Sequence, residues 1–201
     1  MTEPFRCGLV LLAAGESRRM GRPKQLLPVG GKPLLRHVVE SLLAAPVSPL
    51  VVVLGAHAPA IAPTLTGLPV QIVIHPGWAE GMGSTLRTGV MALAQLEPRL
   101  QGLIVSLADQ PGLTAVHLEK LLESHQQTGR SIVASTVQGR PVPPVFFSSA
   151  WFPRLRALTG DQGARTLLQA HSAELAHVPL PDSTDLDTPD DYARFNGNIR
   201  P

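Results

Sequence analysis

Six short runs of apolar residues limit what this chain can fold into: Gly8 to Ala13, Leu50 to Leu54, Val70 to Ile74, Gly102 to Leu107, Ile132 to Thr136 and Val142 to Phe147. Runs that are apolar almost throughout read as strands buried on both faces. Between them lie segments with helical periodicity, Pro33 to Ala44, Ala58 to Leu65, Ser84 to Leu96, Ala115 to Thr128, Ala164 to His171 and Pro189 to Phe195. Strands alternating with helices predict an α/β fold, a mostly parallel sheet in a three-layer α/β/α sandwich. Pro141, Pro143 and Pro144 loosen the pattern after Val137 and predict an antiparallel or edge addition there. No repeat, low-complexity tract or linker divides the chain, so residues 1–201 read as a single domain.

Composition removes several classes of function. An apolar fraction of 44% with 16% charged residues fits a soluble globular chain. A net charge of +2, no basic helix and 4% aromatic residues offer nucleic acid neither a charged face nor a stacking platform. Cys7 is the single cysteine, which excludes an internal disulfide and a cysteine-rich metal site. No apolar stretch approaches the length of a membrane span, and Met1-Thr2-Glu3-Pro4 does not open a signal peptide, so a reduced cytoplasmic protein is expected. The histidines at 37, 57, 75, 117, 125, 171 and 177 lack metal-ligand spacing, and zinc is not expected. His57 and His75 draw notice only because they follow strands. Gly-x-Ser-x-Gly is absent, and with it that serine nucleophile.

In open parallel sheets ligands bind beyond the carboxyl ends of the strands. The first strand ends there in Ala14-Gly15-Glu16-Ser17-Arg18-Arg19-Met20-Gly21-Arg22-Pro23-Lys24, which concentrates four of the chain's 17 lysines and arginines. Backbone amides in a glycine-containing turn, with Arg and Lys around them, suit a polyphosphate. Five residues separate Gly15 from Gly21 and Arg22-Pro23 follow, which is not a P-loop. The three glycines of a dinucleotide fingerprint are missing too, and Pro23 and Pro28 disfavour a helix here.

Leu12-Ala13-Ala14-Gly15, Ser17-Arg18-Arg19-Met20-Gly21 and Lys24-Gln25-Leu26-Leu27-Pro28 together resemble the opening of nucleotidyltransferases that use nucleoside triphosphates. More narrowly, the chain is similar to the MobA-like molybdenum cofactor nucleotidyltransferases and, within them, to the cytidylyltransferase branch. Gly81-Met82-Gly83-Ser84-Thr85-Leu86-Arg87-Thr88-Gly89, Leu107-Ala108-Asp109-Gln110-Pro111, Gly160-Asp161-Gln162-Gly163-Ala164-Arg165 and Asp185-Leu186-Asp187-Thr188-Pro189 continue the likeness in order. The resemblance implies a Rossmann-like fold of the nucleotide-diphospho-sugar transferase type. It also implies nucleotide contacts at Leu12, Ala13, Ala14, Gly15, Gly83 and Ser84, and phosphate contacts at Arg18 and Lys24.

Asp109 follows an apolar strand, where a carboxylate either caps the next turn or serves as a ligand for Mg²⁺. By the same resemblance Asp187 or Asp185 supplies a second ligand; the two share a face if the segment is extended. Thr188-Pro189 reads as N-cap and first helical residue. Ser84 reads either as an ordinary N-cap or as a contact for the base and ribose. Asp161 and Arg165 face the acceptor by resemblance, and a structural turn and a surface arginine are their alternatives. Where related chains usually carry Gly-x-Pro, this chain has Val142-Pro143-Pro144, on the expected acceptor side.

The resemblance implies a Mg²⁺-dependent transfer of CMP from CTP to the phosphate of molybdenum cofactor, with release of pyrophosphate and a molybdoenzyme as a possible recipient. The choice of CTP rests on Ala14, because guanylyl-transferring relatives tend to have glycine there. The alternatives are a guanylyltransferase of the same fold, a cytidylyltransferase for a sugar or polyol phosphate, and a non-catalytic chaperone that inserts molybdenum cofactor.

Overall fold

The computed structural model describes residues 5–161, 163–181 and 184–198. Its elements run β1 (Cys7–Ala13), β2 (Pro28–Val29), β3 (Lys32–Pro33), α1 (Leu34–Leu42), β4 (Leu50–Leu54), α2 (Ala58–Ile61), β5 (Gln71–Ile74), α3 (Met82–Leu96) and β6 (Gly102–Leu107). They continue as α4 (Ala115–Thr128), β7 (Ile132–Val137), β8 (Arg140–Ser148), α5 (Phe152–Arg156), α6 (Arg165–Ala170), β9 (Ala176–Pro179) and α7 (Pro189–Asn198).

Seven strands form one sheet in the order β5-β4-β1-β6-β8-β7-β9, and β2 with β3 forms a small separate hairpin. β5, β4, β1 and β6 are parallel neighbours, and β9 lies parallel to β7. The chain builds outward from β1 to β4 and β5, then returns to place β6 on the other side of β1. That reversal opens a crevice at the carboxyl ends of β1 and β6.

Strand residues alternate between two cores, as period-two geometry requires. Leu9, Leu11, Val52, Leu54 and Ile104 pack with the buried faces of α1, α2 and α4. Val10, Leu12, Val51, Val53 and Leu103 pack with Leu86, Val90 and Leu93 of α3 and with Leu155 of α5. The two cores on opposite faces of one sheet make the expected three-layer sandwich. α3 approaches closely because Gly89 has no side chain; a methyl group there would collide with Val10 and Val53. Among the described residues no helix is long and apolar enough to cross a membrane. Burial pushes the Cys7 thiol up to about 12, so it stays protonated inside the core.

The proline-rich stretch is antiparallel as expected, but β8 lies inside the sheet rather than at its edge. The prolines are tolerated because of where they fall. β6 pairs with β8 only from Val145 to Ser148, and the register with β7 shifts so that Pro143 and Pro144 oppose no residue. A buried relay holds this bulge. The Ser135 hydroxyl donates to the Pro144 carbonyl at 2.7 Å, so the His117 imidazole donates from Nε2 to Ser135 Oγ, also at 2.7 Å. β2, β3, β9 and α5 are additions to the strands and helices read from sequence. β9 is a four-residue edge strand with His177 and Pro179 exposed, and α5 spans five residues.

Burial, with Lys120 nearby, lowers the His117 pKa to about 4. In an unfolded chain the group titrates near its ordinary value of about 6.5. Below that pH the unfolded state takes up a proton that the folded state refuses. The contribution of His117 is therefore complete above pH 6.5 and is lost as the pH falls toward 4. Urea unfolding at about pH 7.5 and about pH 5 should show a loss of about 2 kcal/mol from this group, and His117→Gln should flatten the slope.

Candidate active site

A cavity of about 720 Å³ opens at the reversal point, with walls that include Ala14, Trp78, Met82, Asp109, Asp161 and Asp187. Its floor is the end of β1. Leu12, Ala13, Ala14 and Gly15 all line it, and Ala14 is only 5% exposed. Beyond Gly15 the chain makes two three-residue 3-10 turns, Arg18–Met20 and Lys24–Leu26, in place of a helix. Buried Met20 and Leu27 anchor these turns in the core. Ser17 precedes the first turn in the left-handed region, at φ 61°.

The second turn aims Lys24 into the cavity. Its ammonium donates to Asp109 Oδ2 at 2.5 Å and to Asp187 Oδ1 at 2.8 Å. Burial alone would lower the Lys24 pKa, but attraction to Asp109 and Asp187 outweighs it and raises the value. Burial works against ionisation of Asp187 as well, yet Lys24 and Arg19, whose guanidinium lies 2.8 Å away, hold its carboxyl below the usual range. Asp109 comes from the residues just after β6, as its sequence position requires. Asp187 ends a tight three-residue turn, its N–H donating to the Asp185 carbonyl at 3.2 Å, and Leu186 at the centre of the turn is fully buried and donates its N–H to the Asp109 carbonyl at 2.9 Å. Asp185 and Asp187 both reach the cavity, on the side opposite Leu186.

Asp185 differs from its neighbour. It accepts from Gln110 Nε2 at 3.0 Å, while Lys24 donates to Asp109 and Asp187. Burial and then repulsion by Asp109 raise its pKa despite the Gln110 hydrogen bond. The cavity thus gathers Glu16, Asp109, Asp161, Asp185 and Asp187 against Arg18, Arg19 and Lys24.

A divalent cation is the chemistry that this donor set fits. Asp109 Oδ1 is buried and, among the described residues, has no hydrogen-bond partner. A carboxylate oxygen left in that state has capacity for a ligand. Among the described residues no group of three His, Cys, Asp or Glu side chains could hold an ion alone. A hard cation can take one or two carboxylates and complete its shell from substrate phosphates and water. Asp109 and Asp187 could supply those carboxylates.

The remaining residues singled out from sequence divide clearly. Arg18 is on the cavity wall but its side chain is 83% exposed, paired with Glu16 at 2.6 Å. Arg22 instead lies 6.0 Å from the Tyr192 ring. Gly83 and Ser84 do not line the cavity, where Gly81, Met82 and Thr85 do. The helix starts at Met82 rather than Ser84, and this turns Ser84 inward. Its hydroxyl donates to the Gly81 carbonyl and meets His75 Nε2 at 2.9 Å, while the Gly83 N–H is bound to the Gly160 carbonyl at 2.7 Å. This bond joins the 81–89 and 160–165 segments, with Asp161 reaching the cavity and Arg165 exposed outside it. Gln162 lies outside the described residues. Thr188 caps α7 as expected, exchanging hydrogen bonds with Asp191.

Two residues escaped the sequence reading. Trp78 forms the wall beside Ala14, packed so closely that a methyl group on Gly55 would strike both. Gln25 is only 2% exposed and binds the backbone of the loop after β1. Its one signal in the sequence is an uncharged polar side chain set between Lys24 and two leucines.

Comparison with known proteins shows the family to which the chain belongs. The model of the MobA-like NTP transferase domain matches residues 9–175. Nicotine blue oxidoreductase of Paenarthrobacter nicotinovorans is 35% identical, over 80% of each chain. Purine catabolism protein PucB of Bacillus subtilis is 31% identical, over 96% of each. A probable molybdenum cofactor guanylyltransferase of Mycobacterium ulcerans is 26% identical, over 96% of this chain and 92% of that one. Among solved structures, Rv0371c of Mycobacterium tuberculosis H37Rv superposes with a TM-score of 0.83 at 28% identity, over 96% of this chain and 99% of that one. Its complex with manganese gives 0.80 at 26% identity, over 96% and 100%.

The Lys24 contact should be measurable as stability. Lys24→Met leaves Asp109 without its counter-charge and should cost about 2–3 kcal/mol in urea unfolding. Adding Asp109→Asn should recover part of that loss, with a coupling of at least about 1 kcal/mol. Simple additivity of the two losses would show that the pair is not energetically linked.

Proposed function

The chain belongs to the MobA-like NTP transferase family and is a nucleotidyltransferase; from that premise we propose that it transfers CMP from CTP to the phosphate of molybdenum cofactor and releases pyrophosphate. One observation carries the reading. Lys24 lies between Asp109 and Asp187 at the end of a loop whose amides line the same cavity. Cations and amides there would meet the negative charge of a triphosphate, and the carboxylates would meet its counter-ion.

In the proposed reaction an oxygen of the acceptor's phosphate monoester attacks the α-phosphorus. A new P–O bond forms, the bond from the α-phosphorus to the bridging oxygen breaks, and its electron pair leaves with pyrophosphate. A phosphate monoester is already largely ionised near neutral pH, with a second pKa of about 6. No general base is needed, and the cavity brings cations and carboxylates together instead. Lys24 exchanges its carboxylate partners for phosphate oxygens as substrate enters. Arg18, exposed and paired with Glu16, would turn toward the same phosphates.

Asp109 and Asp187 would hold Mg²⁺, which supplies charge neutralisation at the phosphates. That Rv0371c has been solved in complex with manganese supports a divalent ion in the reaction. Asp187 is preferred to Asp185 as the second ligand because it shares Lys24 with Asp109.

CTP is favoured by the wall of Ala14, Gly55 and Trp78. The close packing of these residues keeps the Ala14 methyl from retreating, which narrows the space for a purine. The name of the Mycobacterium ulcerans relative supports the cofactor as acceptor, and it also favours a second reading, GTP as donor. Pyrophosphate release from a matrix of nucleoside triphosphates and phosphate acceptors separates these readings. Turnover is expected with CTP plus molybdenum cofactor, and with neither alone. Calorimetric titration with Mg²⁺ should show tighter binding of CTP than of GTP, and the reverse order would overturn the cytidylyl assignment. Ala14→Gly should move the preference toward GTP, and Asp109→Asn should slow turnover at least about 100-fold.

A further inference from the structure

Gln25 is a buried carboxamide that the reaction above leaves unused. Its Nε2 donates to the Ala13 carbonyl at 2.9 Å and to the Gly15 carbonyl at 3.0 Å. Its Oε1 accepts from the Ser17 hydroxyl at 3.4 Å, and Ser17 Oγ accepts the Lys24 backbone N–H at 3.1 Å. One side chain therefore connects the end of β1, the strained Ser17 and the turn that carries Lys24. The intervening Ala14 carbonyl is fixed independently, by the Ala56 N–H at 3.0 Å.

A trans peptide directs its C=O and N–H to opposite sides of one plane. Fixing the carbonyls of Ala13, Ala14 and Gly15 thus fixes the direction of the N–H groups of Ala14, Gly15 and Glu16. Among the described residues none of these three N–H groups has a protein acceptor. Ala14, Gly15 and Glu16 line the cavity, and oriented, unspent amides are a binding surface for anionic oxygens. Without Gln25, two of the three carbonyls lose their donor, and those peptide planes are free to rotate.

We propose that Gln25 is the positioning residue of the phosphate loop: its carboxamide clamps the Ala13 and Gly15 carbonyls and so presents the Ala14 and Glu16 amides to the nucleotide's phosphates. The assignment rests on the nucleotidyl-transfer reading of the cavity, and it does not depend on which base or acceptor is used. In this role Gln25 acts through the loop backbone. Its effect is to remove the reorientation that the loop would otherwise undergo on binding, which places the benefit in affinity for the polyphosphate.

The test uses the full-length protein with two probes, magnesium pyrophosphate and magnesium CTP, titrated calorimetrically. Gln25→Met keeps the length and loses both donors. Gln25→Glu keeps the shape and sets a carboxylate against the two carbonyls. Each is expected to bind both probes at least about tenfold more weakly. Circular dichroism should show both folded at the temperature of titration. A merely structural role would lower the melting temperature and leave the affinities of the folded variants alone. Ser17→Ala frees one end of the carboxamide and is expected to weaken both probes about threefold; it carries the test if neither Gln25 variant folds. Unchanged affinities in a folded Gln25 variant, or in Ser17→Ala where that variant carries the test, would overturn the proposal. Wild-type protein that bound neither probe would instead contradict the cavity reading itself.

Discussion

A single ammonium group fastens three distant parts of this chain together. Lys24 follows β1, Asp109 follows β6 and Asp187 precedes α7, and they meet within hydrogen-bond distance. The contact is balanced only in part. Asp185 sits beside the pair with its pKa raised by burial and by repulsion from Asp109. Carboxylates exceed cations along this edge, so an anionic substrate is met by charge of its own sign unless a cation enters with it. The same geometry that stabilises this edge therefore suits it to a polyphosphate and its counter-ion. An isolated basic loop would not create that requirement.

The rest of the edge is organised around carbonyl oxygens that are already occupied. Gln25 and the Ala56 N–H take the carbonyls of three successive residues at the end of β1, which leaves the matching amides unspent. Gly89 lets α3 lie close on Val10 and Val53, the residues beneath the helix whose first turn helps to wall the cavity. Packing energy from two apolar cores thus holds polar groups in positions that no local propensity would select.

Much of this was legible in the sequence because burial leaves a plain record. β1, β4 and β6 are apolar along their length, and a strand covered on both faces has to be. Asp185 and Asp187 were expected to share a face if their segment is extended; both do line the cavity, but through a tight turn about the buried Leu186. What escaped was decided by tertiary contacts. β9 is half-exposed, short and at an edge, so its residues carry no distinct pattern. Ser84 has the composition of an N-cap, but the bond from Gly83 to Gly160 accompanies a helix that starts two residues earlier, and Ser84 turns to His75. The close contact among Ala14, Gly55 and Trp78 joins residues from three separate segments, which no local spacing reveals. Gly30 and Gly31, both at positive φ, form the turn of the β2–β3 hairpin, a signal that is plain in Val29-Gly30-Gly31-Lys32 once the turn is considered.

The central claim concerns which phosphorus is attacked. It is tested most directly by incubating the protein and Mg²⁺ with molybdenum cofactor and CTP labelled in turn at the α- and the γ-phosphorus. The account predicts that the α-label appears in the acceptor product and the γ-label in pyrophosphate. Transfer of the γ-label to the acceptor, or release of the α-label as free CMP with no labelled product, would contradict it.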